Sequence, residues 1–142
     1  MAEKVRVPPH SDEAEKSVLG ALLIDKDAIV SVVEFLRSEH FYHDSHARIY
    51  KAIASLYEER QPVDVVTLTE RLKKQRSLTA IGGSSYLTSL VNAVPTSAHA
   101  AHYGKIVKEL FTKRQLIASG SRLVEMAFDE GMEAPQALDQ AE

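Results

Sequence analysis

One uninterrupted stretch near the carboxyl terminus restricts the fold of this chain more than any other feature. From about Ser97 to Asp129 the sequence contains no proline, and apolar residues recur every seven positions, at Tyr103, Leu110, Ile117 and Val124. This spacing predicts a helix of about 30 residues, which is about 45 Å long at 1.5 Å per residue. A head of roughly 95 residues is only about 25 Å across. We therefore expect the helix to project from the head and its apolar stripe to require a partner.

Shorter helical patterns occupy residues 1–95, which we assign to a multi-helix globular head. A first helix is predicted from about Asp12 to Leu23, because Ser11 can cap it and the acidic residues of its first turn suit the helix dipole. The next apolar stretch, 28–36, is predicted as a second helix. Its β-branched residues leave a strand as the alternative.

The pattern from Asp44 to Glu59 is the clearest helix of the head, and Pro62 ends it. The dipeptide Gly82-Gly83 predicts a turn before a short helix that stops at Pro95. Between these elements we expect a helix with an apolar inner face and a basic outer face. The inner residues are Val65, Val66, Leu68 and Leu72, and the outer ones are Arg71, Lys73 and Lys74.

Residues 96–142 are predicted to form a helical hairpin. Gly131 and Pro135 mark a turn after the long helix, and a new helical pattern begins at Ala137 and is cut off at Glu142. We expect the chain to be a piece of a longer polypeptide, whose second hairpin helix continues and packs antiparallel on the first. The predicted fold class is all-α, with the head followed by this hairpin.

Composition excludes several classes of protein. With 44% hydrophobic and 26% charged residues the chain is neither disordered nor fibrous, and no apolar run approaches the roughly 18 residues of a membrane span. The absence of cysteine removes disulfides, thiol catalysis and cysteine-ligated zinc. The polar amino terminus lacks the apolar core of a signal peptide. We expect a soluble, cytoplasmic protein.

Histidine spacing invites a metal site that we do not predict. His40, His43 and His46 are spaced by three, and His99 and His102 would share a helix face. A zinc site needs three or four converging ligands, whereas the first three histidines span a bend from which their side chains are expected to diverge. Ordinary surface or half-buried histidines are therefore predicted.

No catalytic motif is predicted either. Gly104-Lys105 superficially matches the end of a nucleotide-binding P-loop, but His99 and Ile106 stand where that motif needs glycine and a hydroxyl residue. No G-x-S-x-G nucleophile elbow accompanies the plentiful serines and histidines. We therefore predict no enzyme active site, no metal and no cofactor in this segment.

Charge is distributed unevenly along the predicted hairpin, although the formal net charge is only -3. The long helix is basic, whereas residues 129–142 carry acids and no base, which suggests pairing within the hairpin or between protomers. The alternative is a direct single-stranded DNA-binding module, and its contacts would be Lys105, Lys108, Lys113 and Arg114.

Several blocks of sequence resemble one family. The stretches PPHSDEAEKSVLGALLID, HFYHDSHARIYKAIASLYEERQPVDVVTLTERL, IGGSSYLTSLVNAVPTSA and HYGKIVKELFTKRQLI occur in the order found in the N-terminal domain of the bacterial replicative DNA helicase, the DnaB family. The resemblance covers about Val7 to Met126. The family has glycine where Arg60 stands, so this arginine is expected to end its helix, with a left-handed conformation as one possibility.

The resemblance implies a non-catalytic collar domain. In that family the domain forms a trimer of dimers on the hexameric ring, dimerises through its hairpins and docks the helicase-binding domain of primase. ATP and Mg²⁺ are expected only in the RecA-like motor domain that follows in such proteins, and DNA contact by this domain is expected to be weak or indirect.

Two residue sets follow for this sequence. The primase interface implied by the resemblance comprises Glu13, Tyr86, Ile117 and Leu123, although the last three are equally well explained by packing inside the head or hairpin. The predicted oligomer interface is the stripe of the long helix, namely Tyr103, Ile106, Leu110, Ile117 and Val124.

Overall fold

The fold is described from a computed structural model, which defines residues 6–94 and 99–142. In these ranges the chain forms seven α-helices and one short 3-10 helix, without a strand. The elements in chain order are α1 (Asp12–Ile24), α2 (Ala28–Val32), the 3-10 helix (Ser38–His40), α3 (Asp44–Glu58), α4 (Val65–Lys74), α5 (Gly83–Ala93), α6 (Ala100–Phe128) and α7 (Ala134–Ala141). The all-α prediction is confirmed.

Local capping explains where several helices begin. The Ser11 hydroxyl accepts a hydrogen bond from the Ala14 backbone N–H at 3.1 Å, as predicted for the start of α1. At the start of α4, Asp64 accepts from the Thr67 N–H at 2.8 Å, and the Thr67 hydroxyl accepts from the Asp64 N–H at 3.0 Å. These reciprocal bonds satisfy donors that a helix start otherwise leaves unpaired.

Two helices of the head end on arginine in a left-handed conformation. Arg60 follows α3 with φ 58°, and Arg76 follows α4 with φ 57°. The next N–H group in each case bonds back five residues, from Gln61 to the Leu56 carbonyl at 2.9 Å and from Ser77 to that of Leu72 at 2.8 Å. These bonds satisfy carbonyls at the helix ends and offset a conformational cost of about 1 kcal/mol per residue. The left-handed possibility for Arg60 is thus confirmed.

The β-branched segment after α1 is helical, so the strand alternative is wrong. The α2 helix spans only five residues, and its Ala28, Ile29 and Val32 side chains are buried. Burial of one face at a spacing of three and four residues favours helix over the alternation that a strand requires.

The inner face predicted for α4 wrongly includes Val66. Leu68 and Leu72 are fully buried, but Val66 is 72% exposed. Arg71, predicted to face water, is largely buried and donates to the Ser55 hydroxyl at 2.6 Å and the Glu59 carboxylate at 2.5 Å. This ion pair, followed by the hydrogen bond from Ser55, holds the pKa of the Glu59 carboxyl below its usual range.

The described residues pack into two units. The described residues between 10 and 111 form the head unit, and residues 112–142 together with the described residues before His10 form the C-terminal unit. The predicted boundary between 95 and 96, with the predicted helix stop at Pro95 and helix start at Ser97, lies at residues outside the described ranges. The projection of the long helix from the head stays a prediction.

Close approach of α1 and α5 forms the centre of the head unit. A Cβ atom on Gly20 would lie 2.1 Å from Val94 Cγ2 and 2.3 Å from the Leu90 carbonyl oxygen, so only glycine fits between these helices. The buried side chains around this crossing include Val18, Leu19, Leu22, Leu87 and Leu90. This contact fixes the position of α1, which carries the first residues of the candidate site.

Candidate functional site

A buried carboxylate joins α1 to the segment that precedes α3. The Glu15 side chain is on α1, and the residue is 1% exposed. Its carboxylate accepts from the backbone N–H groups of Tyr42 at 2.7 Å and His43 at 3.4 Å, and one oxygen lies 2.7 Å from His46 Nδ1. These partners replace the water that burial removes from the carboxylate.

The network continues from α3 to α5. His46 Nε2 lies 2.5 Å from the Tyr86 hydroxyl oxygen, and the two rings stack with centroids 5.9 Å apart. Since a carboxylate only accepts, His46 donates to Glu15 through Nδ1. In that tautomer Nε2 is the acceptor, and the Tyr86 hydroxyl donates a hydrogen bond to it. Burial, followed by the charges of Glu15 and Asp12, raises the pKa of Tyr86, so this hydroxyl stays protonated as a donor.

Tyr86 also reaches an open cavity on the head unit. The cavity has a volume of about 370 Å³, and its lining includes Asp12, Lys16, His46, Gly82 and Tyr86. The preceding glycine turn has positive φ values of 107° and 78°, which bring the start of α5 to this position. His46 therefore fixes the Tyr86 hydroxyl through a hydrogen bond, and the Tyr86 side chain remains half-exposed at the cavity.

Asp12 and two histidines form a second cluster beside this cavity. His43 Nε2 hydrogen-bonds to Asp12 Oδ1, and His10 Nε2 lies 3.3 Å from the same oxygen. The hydrogen bond with His43 is the main reason why the pKa of the Asp12 carboxyl is below its usual range. The neighbouring Glu13, predicted to contact primase, is exposed.

The three histidines spaced by three in sequence make their hydrogen bonds to different partners. The Nδ1 atom of His40 accepts from the Arg37 N–H at 2.9 Å, while His43 bonds to Asp12 and His46 lies between Glu15 and Tyr86. The predicted divergence therefore holds for His40 but is wrong for His43 and His46, whose rings contact each other edge-on with centroids 5.1 Å apart.

Gly104 lies inside α6 and packs against the head core. A Cβ atom at this position would lie 3.1 Å from Phe35 Cζ. A phosphate-binding loop instead presents free backbone N–H groups after a strand. The interpretation of Gly104-Lys105 as part of a helix is therefore confirmed.

The first positions of the predicted oligomer stripe belong to the head unit. Tyr103 and Ile106 are partly buried and pack against the head core, and Leu110 is also partly buried. These three residues thus offer less exposed apolar surface than their spacing alone predicts.

The later positions of the stripe lie in the C-terminal unit and are exposed. Ile117 is 54% exposed and Val124 is 56% exposed. Outside the predicted stripe, Phe128 is 82% exposed, and Leu116, Leu123 and Leu138 are also exposed. We call these six residues the exposed apolar set. Single exposed apolar residues are common on protein surfaces, whereas several of them close together along one helix are typical of an interaction surface.

An apolar groove lies between the end of α6 and α7. It has a volume of about 500 Å³, and its lining includes Leu123, Met126, Met132, Ala137 and Leu138. The Arg122 guanidinium donates to the Gln140 carbonyl at 3.3 Å, which ties the two helices together.

The basic residues proposed for DNA contact fall in both units. Lys105 and Lys108 belong to the head unit, whereas Lys113 and Arg114 belong to the C-terminal unit. The Arg114 guanidinium donates to the Pro9 carbonyl at 2.8 Å. The DNA-binding alternative stays a prediction.

Known proteins match this arrangement of helices and its sequence. The model of the DnaB-like helicase N-terminal domain family matches residues 7–109, which is most of the chain. The chain belongs to this family. The N-terminal domain of DnaB helicase from Mycobacterium tuberculosis has the same fold, with a TM-score of 0.89, 39% identity and 95% coverage of both chains.

Two further comparisons define how much of a DnaB protein the chain represents. It is 43% identical over 123 residues to replicative DNA helicase DnaB of Leifsonia xyli subsp. xyli, covering 87% of this chain and 27% of that protein. The DnaB of Mycobacterium leprae is 41% identical over 139 residues, covering 96% of this chain and 23% of that protein. The chain spans about a quarter of the length of these curated relatives.

A second solved structure that matches is that of a DnaB-like replicative helicase, described together with its interactions with primase. It matches with a TM-score of 0.73 and 28% identity, over 93% of this chain and 32% of that chain. Across the described ranges of the present chain, no helix has both the length and the apolar character needed to cross a membrane.

The predicted site residues of this DnaB-family domain are divided between its units. Glu13 and Tyr86 belong to the head unit, and Ile117 and Leu123 belong to the C-terminal unit. Sequence reasoning missed Glu15 and His46. The signal for Glu15 was its place among the inward positions Val18, Leu19 and Leu22, three, four and seven residues ahead.

Proposed function

We propose that this chain is a non-catalytic collar domain of a replicative DNA helicase, which assembles the helicase ring and docks primase during DNA replication. The observation that carries the proposal is the exposed apolar set on α6 and α7 in a member of the DnaB family. ATP and Mg²⁺ would be bound by the motor domain of the parent protein, and the domain would act in the cytoplasm.

Self-association follows from the chemistry of the exposed apolar set. Covering apolar surface contributes about 25 cal/mol per Å², and a second copy of the chain presents the same surface. A patch that contacts itself across a two-fold axis closes on two copies. A dimer is therefore the first product. Completing a hexameric collar as a trimer of dimers requires a second kind of contact.

The first expected result concerns this dimer. The double variant Ile117→Glu with Val124→Glu should weaken dimerisation about 100-fold or more. Each of the two apolar side chains would become buried in the dimer, and burying one contributes about 1.5–3 kcal/mol to the free energy of association. Sedimentation velocity over a range of concentrations measures the effect. The matched control is Gln115→Glu, an exposed α6 position that adds negative charge without removing an apolar side chain.

A strictly monomeric unsubstituted chain at hundreds of micromolar would overturn the dimer proposal. Equal association of the double variant and the control would also overturn it. Circular dichroism establishes that each variant retains its helices.

Primase docking is proposed through Glu13 and Tyr86 of the head unit and through Ile117 and Leu123 of the C-terminal unit. Support comes from the half-exposed position of Tyr86 over its buried partners and from the exposure of the other three residues. Aromatic residues held rigidly in place favour tight recognition, because little side-chain freedom is lost on binding.

The second expected result tests these contacts. Glu13→Ala should weaken binding of the cognate primase helicase-binding domain about tenfold. This is the change expected when a charged side chain that contributes about 1.4 kcal/mol to the free energy of binding is removed. Calorimetric titration under dimer-forming conditions measures the affinity. Glu34→Ala is the control, since Glu34 is an exposed acid of the head unit that is not among the proposed contacts. Absence of binding to the assembled chain, or equal affinities for both variants, contradicts the proposal.

A further inference from the structure

Three metal-ligand atoms converge on the head unit. His10 Nε2, Asp12 Oδ1 and His43 Nε2 all lie within 4.8 Å of one another. They come from the segment before α1, the first residue of α1 and the residue before α3. Three separate backbone positions therefore direct two imidazoles and one carboxylate to the same point.

The spacing suits a small divalent cation. Tetrahedral Zn²⁺ with bonds of about 2.0–2.1 Å has ligand atoms separated by about 3.3–3.4 Å. His10 Nε2 and Asp12 Oδ1 are 3.3 Å apart. His43 Nε2 is closer to Asp12 because the two now share a hydrogen bond, and rotation of the half-exposed His43 side chain opens this contact.

Neighbouring groups already order the two imidazoles. The His10 ring stacks on Tyr42 with centroids 3.9 Å apart and contacts the His43 ring edge-on at 5.4 Å. The His43 backbone N–H donates to the buried Glu15 carboxylate at 3.4 Å. Binding therefore requires little further ordering of the ligands, which favours affinity.

The local charge also favours a cation. Asp12, Glu13 and Glu15 lie in the first turns of α1, and Lys16 is the single base among them. The three carboxylates outweigh Lys16 and the partial positive charge at the start of α1. Two imidazoles with one carboxylate suit Zn²⁺ rather than Mg²⁺ or Ca²⁺, which prefer oxygen ligands.

We propose that His10, Asp12 and His43 form a Zn²⁺ site with an exchangeable fourth position. Asp12 and His43 line the cavity beside Tyr86, from which water or another ligand reaches this position. Zn²⁺ bound here links the segment before α1 to the residue that precedes α3. The site departs from the sequence-based expectation of no metal, which grouped His43 with His40 and His46 rather than with His10, and it is independent of the proposed collar function.

Calorimetric titration of the metal-free 142-residue chain with ZnCl₂ tests the proposal. We expect one Zn²⁺ per chain, a rise in Tm with Zn²⁺ concentration, and no response to MgCl₂. His43→Gln and His10→Gln should each weaken Zn²⁺ binding at least about tenfold, since even residues that only support a ligand contribute this much. The control is His102→Gln, an exposed histidine on α6.

Three results would overturn the site. The first is that the folded chain does not bind Zn²⁺. The second is that His43→Gln, His10→Gln and the unsubstituted chain bind Zn²⁺ with equal affinity. The third is that only the His102→Gln control loses Zn²⁺ binding. The two ligand variants lie on different segments, so a folding defect in one leaves the other informative. Replacing Zn²⁺ by Co²⁺ adds an absorption spectrum that distinguishes four-coordinate from six-coordinate metal.

Discussion

Gly20→Ala is expected to lower the free energy of unfolding of the head unit by about 3 kcal/mol or more, the upper part of the range for overpacked cores. The new Cβ would lie 2.1 Å from Val94 Cγ2 and 2.3 Å from the Leu90 carbonyl oxygen. Val94 can adopt another rotamer, but the Leu90 oxygen belongs to the α5 backbone. The two helices must therefore separate, which loosens the core on both sides of their crossing.

Thermal unfolding followed by circular dichroism measures this effect. A loss of about 3 kcal/mol lowers the Tm of a unit of this size by about 12 °C or more. Gly120→Ala is the matched control, because a Cβ there meets no atom within 4 Å inside α6. Removing a helical glycine should stabilise α6 by up to about 1 kcal/mol. An unchanged Tm for Gly20→Ala would show that α1 and α5 are not in close contact.

Structural features that depend only on residues close together in the sequence were predictable. The first helix is predicted from Asp12 to Leu23 and found from Asp12 to Ile24, because its cap and apolar spacing are local signals. The conformation of Arg60 is local too, since a helix that must stop before Pro62 has few ways to satisfy its last carbonyls.

Features that depend on distant partners were not predictable. Val66 follows Val65 by about 100° around α4, so the two side chains point in different directions, and Val66 is exposed whereas Val65 is partly buried. Apolar character gave no indication of which would be exposed. Arg71 is drawn inward by Ser55 of α3, 16 residues away, and by Glu59 directly after α3, 12 residues away. Charge type alone predicts exposure, and only the folded chain supplies these partners.

The candidate site illustrates the same limit. Glu15 contacts His46 at a sequence separation of 31 residues, and His46 contacts Tyr86 at a separation of 40. Reading the acids of α1 as dipole-stabilising groups explains Asp12 and Glu13 but leaves the burial of Glu15 unexplained. The histidines were grouped by spacing along the chain, whereas the fold groups His43 with His10.

The oligomer stripe also divides in a way that its seven-residue spacing conceals. Tyr103 and Ile106 use their apolar surface within the head core, whereas Ile117 and Val124 expose more than half of theirs. A constant repeat predicts one continuous face, but which part of that face remains for a partner depends on where the head covers it. The proposed dimer contact is therefore concentrated on the residues after Thr112.

Glu15→Ala is expected to destabilise the head unit by about 3 kcal/mol or more. The substitution removes the acceptor of the buried His46 Nδ1 and of the partly buried Tyr42 and His43 N–H groups, and a buried donor left without a partner costs about 1–3 kcal/mol. Chemical denaturation gives the free energy of unfolding. Glu13→Ala is the matched control from the same turn, and as an exposed site it should change stability by less than about 0.5 kcal/mol.

A double-mutant cycle separates this network from a simple loss of packing. Tyr86→Phe alone removes one hydroxyl and should cost about 1 kcal/mol. If Glu15 fixes the His46 tautomer that accepts from Tyr86, the second substitution costs less in the Glu15→Ala background, with a coupling energy above about 0.5 kcal/mol. Additive losses would mean that the two hydrogen bonds of His46 act independently. Coupling would mean that the buried Glu15 carboxylate of α1 sets the orientation of the half-exposed Tyr86 ring among the proposed primase contacts.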